Sequence, residues 1–300
     1  MNLSFRLGKI PVRIQPAFFL MAAFLGMFSG DLATTVAWIV VVLVSVLLHE
    51  LGHATMGLAF GLEPRIDLHG MGGTTSWSSA PSLSIPKRIA ISLAGPGAGF
   101  LVGAAVLAIG ARPFSPLPAG EHVYRDLVWV NMGWGIANLM PMLPLDGGNV
   151  LLQLLNAATK GRGEKPARIV SIVLAGLLVP AALLLMSSWW IALLSVSFAA
   201  SNVRGLKDLR GREHDAPMRA AIEQAYAALE AKDAARVLAL ARPVALSAQS
   251  SQVRAEALQL VAFGFLLEGR VPDADAAIAA LPQGFAPHAS LLELRTRVAG

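Results

Sequence analysis

Apolar stretches separated by short polar ones fill the first two thirds of the chain, and a different pattern fills the last third. Residues 16–28, 33–60, 88–109, 124–155, 169–186 and 191–203 read as membrane helices, since a hydrocarbon core about 30 Å thick takes about 20 apolar residues. The last is short, and Trp189 and Trp190 complete it at interface level. The first follows a basic lead and resembles a signal peptide, but no Ala-x-Ala site follows and Ser29-Gly30-Asp31 reads as a tight turn. It is therefore expected to stay as the first span. Before it, Ile10, Val12 and Ile14 alternate with Pro11 and Arg13, the pattern of a short extended segment at the surface. Between the second and third spans, Ile66 and Leu68 alternate with charged residues and glycines follow, which predicts a β-hairpin over part of 61–87.

Beyond about residue 211 the pattern becomes helical and Ala-, Glu- and Arg-rich. Ile222, Ala225, Tyr226 and Leu229 form one stripe, and Val237, Leu238, Leu240 and Ala241 another. Leu229-Glu230-Ala231-Lys232-Asp233 is echoed by Leu267-Glu268-Gly269-Arg270. Stacked hairpins of tetratricopeptide type and a plain small helical domain both fit. The expected fold is an α-helical polytopic membrane protein of about six transmembrane helices with a membrane-associated β-hairpin (1–205), followed by an all-α soluble domain (206–300). The linker's Arg204, Lys207, Arg210 and Arg212 can rest on anionic lipid.

Composition agrees: the 300 residues are 55% hydrophobic and 14% charged, against about 25% charged in soluble domains. The net charge of +5 falls mostly in alternate loops. With the N-terminus in the cytoplasm, the inner segments hold Arg6, Lys9, Arg13, Arg65, Lys87, Arg88, Lys160, Arg162, Lys165 and Arg168, and the outer ones hold Arg112 and Arg125. That asymmetry satisfies the positive-inside rule and puts both termini in the cytoplasm of a multi-pass inner-membrane protein. No basic stripe with interleaved aromatics is present, so nucleic acid is not an expected partner. The absence of cysteine excludes disulfides and thiolate metal sites.

The chemistry lies in two polar motifs inside apolar spans. In His49-Glu50-Leu51-Gly52-His53 the histidines are four residues apart and share one face of a helix. Two such imidazoles can hold zinc, with Glu50 as base. About 24 Å of helix precedes His49 in its span, so the site should be intramembrane, toward the cytoplasmic side. The second motif runs Asn138-Leu139-Met140-Pro141-Met142-Leu143-Pro144-Leu145-Asp146-Gly147-Gly148. Its prolines interrupt the helix, and irregular backbone at membrane depth survives only where protein or a water-filled cavity covers it. A carboxylate is a usual third ligand for catalytic zinc, and Asp146 arrives with that break. Gly147 and Gly148 are expected to let its helix approach Gly52. Such a centre activates water for attack on a peptide carbonyl, with Glu50 taking the proton and Asn138 donating a hydrogen bond to the substrate backbone or developing oxyanion. The reaction class is peptide hydrolysis within the membrane. An exposed hairpin edge could hold the substrate extended by strand addition.

These motifs resemble the site-2 protease family of intramembrane zinc metalloproteases, in the six-span branch that includes the sporulation pro-sigma-factor protease. Gly8-Lys9-Ile10-Pro11-Val12-Arg13-Ile14 and Gly70 to Gly73 support the likeness, which covers about residues 5–205. It implies one zinc ion per chain held by His49, His53 and Asp146, Glu50 as the catalytic glutamate, and membrane-bound regulators of anti-sigma or pro-sigma type as substrates. Many members carry Asn three residues after a Gly-Pro in the third span, where this chain has Gly99 after Gly95-Pro96. In place of a PDZ or CBS domain stand the C-terminal helices, a candidate dock for a protein partner. The rival readings are a membrane-anchored protease whose zinc site faces bulk water, against which stand the eleven apolar residues before His49, an inactive scaffold, which would normally lack Glu50, and a zinc transporter. A transporter needs a second polar cluster, for which Asp126 and Asn131 are the only candidates on the outer side.

Overall fold

The N-terminal alternation forms strands β1 (Leu3–Leu7) and β2 (Ile10–Ile14), and the expected hairpin forms β3 (Pro64–His69) and β4 (Gly72–Trp77). The computed structural model describes residues 2–27, 31–78, 83–117, 119–282 and 284–299. Ser29 and Gly30 of the expected turn lie outside them. The strands join in one sheet in the order β1-β2-β3-β4, with β2 and β3 parallel and the other pairs antiparallel. The expected lone hairpin is therefore half of a four-stranded sheet, and β4 is one of its edges. Ile10, Val12, Ile14, Ile66 and Leu68 turn inward and pack with Phe18, Val41, Val42 and Ala54 of the first helices.

Helix α1 spans Pro16–Gly26 and α2 spans Leu32–Ala59. Asp31 caps α2 by accepting the Thr34 N–H at 2.8 Å, satisfying one of the free donors of its first turn. α3 is Ile85–Ile109. It lies against α2 so closely that a Cβ on Gly52 would fall 2.4 Å from the Ala94 carbonyl oxygen. The close approach expected between Gly52 and Gly147-Gly148 is thus not made: Gly52 faces α3, while Gly147 and Gly148 face the backbone of residues 139–143. A glycine marks where a neighbour comes close without saying which neighbour.

The fourth apolar stretch is broken, as its prolines require. It runs as α4 (Gly120–Val128), a π-helical turn (Trp129–Gly133), α5 (Trp134–Asn138), an irregular stretch over 139–145 and α6 (Asp146–Ala158). Next come α7 (Glu164–Leu184) and α8 (Trp189–Asp215). By length and composition, α2, α3 and α7 are each able to cross a membrane, and α1 is a shorter apolar helix. α2 buries Val41, Val42 and Ser45 and leaves Val36, Val40 and Val44 exposed. Apolar side chains stacked one turn apart and facing outward are unusual on a helix in water.

Contacts divide the chain into Met1–Asn202 and Val203–Gly300. The second unit contains α9 (Arg219–Glu230), α10 (Ala234–Ser247), α11 (Ser251–Leu267), α12 (Val271–Ala279) and α13 (Ala289–Ala299). Its core is built on Val237, Leu238, Leu260, Phe265, Leu266 and Leu291. The α9–α10 and α11–α12 turns close identically. Lys232 N–H donates to Leu229 and Asp233 N–H to Ala228, while Gly269 N–H donates to Leu266 and Arg270 N–H to Phe265. Lys232 and Gly269 both take the left-handed conformation, at φ 56° and 75°. The echo seen in sequence is therefore a recurring helix hairpin, one residue out of the register that set Leu229 against Leu267.

Candidate metal centre

His49 and His53 lie one turn apart on α2, with ring centroids 4.8 Å apart as i, i+4 geometry requires. His53 Nδ1 lies 2.7 Å from the Ile91 carbonyl oxygen of α3, so Nδ1 carries the proton and Nε2 presents a lone pair. That lone pair lies 3.1 Å from His49 Nε2. Asp146 completes the cluster from the first residue of α6, its Oδ2 3.2 Å from His49 Nε2 and its Oδ1 3.3 Å from His53 Nε2. The N-terminus of a helix favours a carboxylate there. Gly147 and Gly148 allow α6 to start hard against the irregular stretch, since a Cβ on Gly147 would fall 2.0 Å from the Leu139 oxygen.

The donor set fits zinc. Two imidazole nitrogens and a carboxylate converge, and among the described residues no other group of three or more His, Asp or Glu side chains does so. Atoms with lone pairs this close need a proton or a cation between them. Tetrahedral zinc with N and O donors at its usual distances of about 2.0–2.1 Å sets donors about 3.3–3.4 Å apart, close to the separations here. Three protein ligands also leave the open position that catalytic sites keep.

Glu50 is 5% exposed, and β4 lies against it. Thr75 Oγ1 donates to Glu50 Oε2 at 2.6 Å and lies 3.2 Å from the Glu50 carbonyl oxygen. A Cβ on Gly73 would fall 2.5 Å from Glu50 Cγ, and a Cβ on Gly57 would fall 2.3 Å from the Trp77 ring. Gly73, Thr75 and Trp77 therefore share the β4 face that runs along α2, and Thr74 and Ser76 face outward as strand alternation demands. The sequence carries this as Gly-x-Thr-x-Trp, a signal that becomes meaningful once β4 is docked on α2. Thr75 and Gly73 are the residues at the site that sequence reasoning missed, together with Gly95, where a Cβ would fall 2.2 Å from His53 Nε2.

Asn138 ends α5, and its amide nitrogen lies 3.0 Å from Asp146 Oδ2 and 3.1 Å from His49 Nε2. The amide thus sits against the cluster of His49, His53 and Asp146. His69 closes the β3–β4 turn, with Nε2 2.9 Å from Thr74 Oγ1 and Nδ1 accepting the Met71 N–H. Asn131 lies buried in the π-helical turn and donates to Ser45 Oγ and to the Leu127 carbonyl.

The model of peptidase family M50 matches residues 119–185. A protein bearing a zinc-metalloprotease name from Synechocystis sp. is 30% identical over 190 residues, covering 58% of this chain and 49% of its own length. A zinc metalloprotease from Methanocaldococcus jannaschii is 31% identical over 164 residues, covering 52% of this chain and 47% of its own. Stage IV sporulation protein FB of Bacillus subtilis is 26% identical over 156 residues, covering 49% of this chain and 48% of its own. The chain thus spans about half the length of the curated relatives it matches. Among solved structures, the site-2 protease from M. jannaschii shares the fold at a TM-score of 0.50 and 24% identity, over 68% of this chain and 94% of that one. In sequence the chain resembles peptidase family M50 and proteins named as zinc metalloproteases, and in fold it resembles a site-2 protease.

Proposed function

From this kinship with the site-2 proteases, we propose that the chain is an intramembrane zinc metalloprotease that cuts a membrane-bound regulatory protein within or near its transmembrane segment. The observation that carries the reading is the meeting of His49, His53 and Asp146, from two separate helices, beside a buried Glu50. One zinc per chain, when bound there, supplies a Lewis acid for the scissile carbonyl and lowers the pKa of water. Glu50 takes the proton of the attacking water and passes it to the leaving amine. Thr75 holds the Glu50 carboxylate in one orientation. Asn138 keeps its bond to Asp146, and the N–H now directed at His49 Nε2 is the one it would offer to the substrate backbone or the oxyanion.

A substrate helix hides its carbonyls in its own hydrogen bonds and must be drawn out before attack. The edge strand β4 is suited to hold it extended, because its inward face already lies on Glu50 and strand addition uses the open edge. In the bilayer, α1, α2, α3, the broken α4–α5–α6 run, α7 and the apolar part of α8 make six crossings. The cytoplasm then holds both termini and lies nearer the zinc site. Regulators of anti-sigma or pro-sigma type are the proposed substrate class, in keeping with the sporulation name of the B. subtilis relative. Residues 206–300 form a cytoplasmic helical domain of tetratricopeptide type that docks a protein partner. A transporter would need a second polar cluster, and among the described residues no second group of three or more His, Asp or Glu side chains converges. An inactive scaffold has no use for a buried base.

The test is co-expression with candidate single-span regulators: the parent cleaves its partner, and with Glu50→Gln the uncut partner accumulates. Failure of every candidate to be cleaved by a zinc-loaded parent would contradict the reading. A second expected result concerns Thr75. Thr75→Val should lower turnover about tenfold or more, the equivalent of one charge-assisted hydrogen bond of roughly 1.5–3 kcal/mol, with zinc content unchanged and Thr75→Ser near the parent. Equal turnover in Thr75→Val would refute the orienting role.

A further inference from the structure

The irregular stretch ahead of Asp146 is held from outside. Leu143 donates its N–H to Ser171 Oγ of α7 at 2.9 Å, and its carbonyl accepts from Asn202 Nδ2 of α8 at 2.7 Å. Both helices thereby supply hydrogen bonds that an interrupted helix cannot make for itself, the condition for irregular backbone at membrane depth. Ser171 is 0% and Asn202 1% exposed. Each also bonds its own helix one turn back, Ser171 to Ala167 and Asn202 to Phe198. Gly148 closes the other side, since a Cβ there would fall 2.3 Å from the Leu143 nitrogen.

Two features separate this from ordinary packing. Among the described residues the Asn202 Oδ1 atom is buried without a hydrogen-bond partner, a cost that an apolar side chain of similar size would not carry. Ser195, on the same helix as Asn202, is equally buried and bonds back to Ile191, yet among the described residues no hydrogen bond joins it to the stretch over 139–145. The chain thus holds a buried serine of each kind, one bonded to the Asp146 approach and one not.

We infer that Ser171 and Asn202 are positioning residues for the metal centre: from two helices they clamp the backbone of Leu143 and so hold Asp146, three residues on, at the two imidazoles. The inference rests on the zinc reading of the cluster. Release of either hydrogen bond lets the stretch relax toward α6 and moves the carboxylate away from His49 and His53, which are fixed separately on α2.

The test measures zinc affinity of the purified full chain by competition with a chelator, beside thermal unfolding of the zinc-free form. Ser171→Ala and Asn202→Leu should weaken zinc binding by about tenfold or more, the usual loss when a group that orients a ligand is removed. Ser195→Ala should match the parent. A parent that binds zinc, with Ser171→Ala and Asn202→Leu within twofold of it, would overturn the clamp and leave the zinc reading standing. Weakening shared equally by Ser195→Ala would also overturn it, since that marks general loosening. A parent that binds no zinc removes both readings. If Asn202→Leu does not accumulate, Ser171→Ala decides, and a fall in unfolding temperature with unchanged affinity counts against the clamp.

Discussion

Glu50→Gln will leave the zinc content of the purified protein at the parent's level and lower cleavage by about 10²–10⁴-fold, the range contributed by a positioned general base. Glutamine has the shape of glutamate, so it still fills the space beneath Gly73 and still accepts from the Thr75 hydroxyl. What it loses is the ability to take a proton from water. The proposed metal donors are His49, His53 and Asp146, and none is touched by the change. A rate loss together with zinc loss would mean that residue 50 supports the cluster structurally. An unchanged rate would remove Glu50 from the chemistry.

The second large effect comes from a residue with no side chain. Gly95→Ala places a methyl carbon 2.2 Å from His53 Nε2 and 2.5 Å from Cε1, on the nitrogen that faces His49 and Asp146. The ring has little room to retreat. Its Nδ1 is held by the Ile91 carbonyl of the same helix as Gly95, and moving α3 away as a body is resisted where Gly52 packs on Ala94. The expected outcome is loss of most zinc binding and of cleavage. Gly97→Ala on the same helix is the control, since nothing lies within 4 Å of a Cβ there. It should keep full zinc content and be no less stable, given that alanine is favoured over glycine in a helix by about 1 kcal/mol. Equal zinc content in both variants would contradict the placement of His53.

These residues also show what a sequence reveals. The convergence of His49 and His53 is legible because donor spacing and helix period coincide, and that of Asp146 because two prolines mark a break where an acid would otherwise be costly. The β3–β4 hairpin followed from alternation. Its pairing in parallel with β2 did not, because strands separated by two helices leave no local trace of the partner. Thr75 and Gly73 meet Glu50 only after β4 docks along α2. Ser171 and Asn202 look like any polar residue in an apolar helix, and their bonds to Leu143 exist only once α7 and α8 are packed. The expected meeting of Gly147 and Gly148 with Gly52 gives way to contacts with other neighbours, since a missing side chain carries no information about who approaches.

The account depends on one cluster assembled from α2 and α6, and metal analysis of purified Asp146→Ala against the parent tests it most directly. The parent should carry about one zinc per chain, and Asp146→Ala should lose most of that zinc and its hydrolytic activity together. Full occupancy with full hydrolysis in Asp146→Ala would contradict the account.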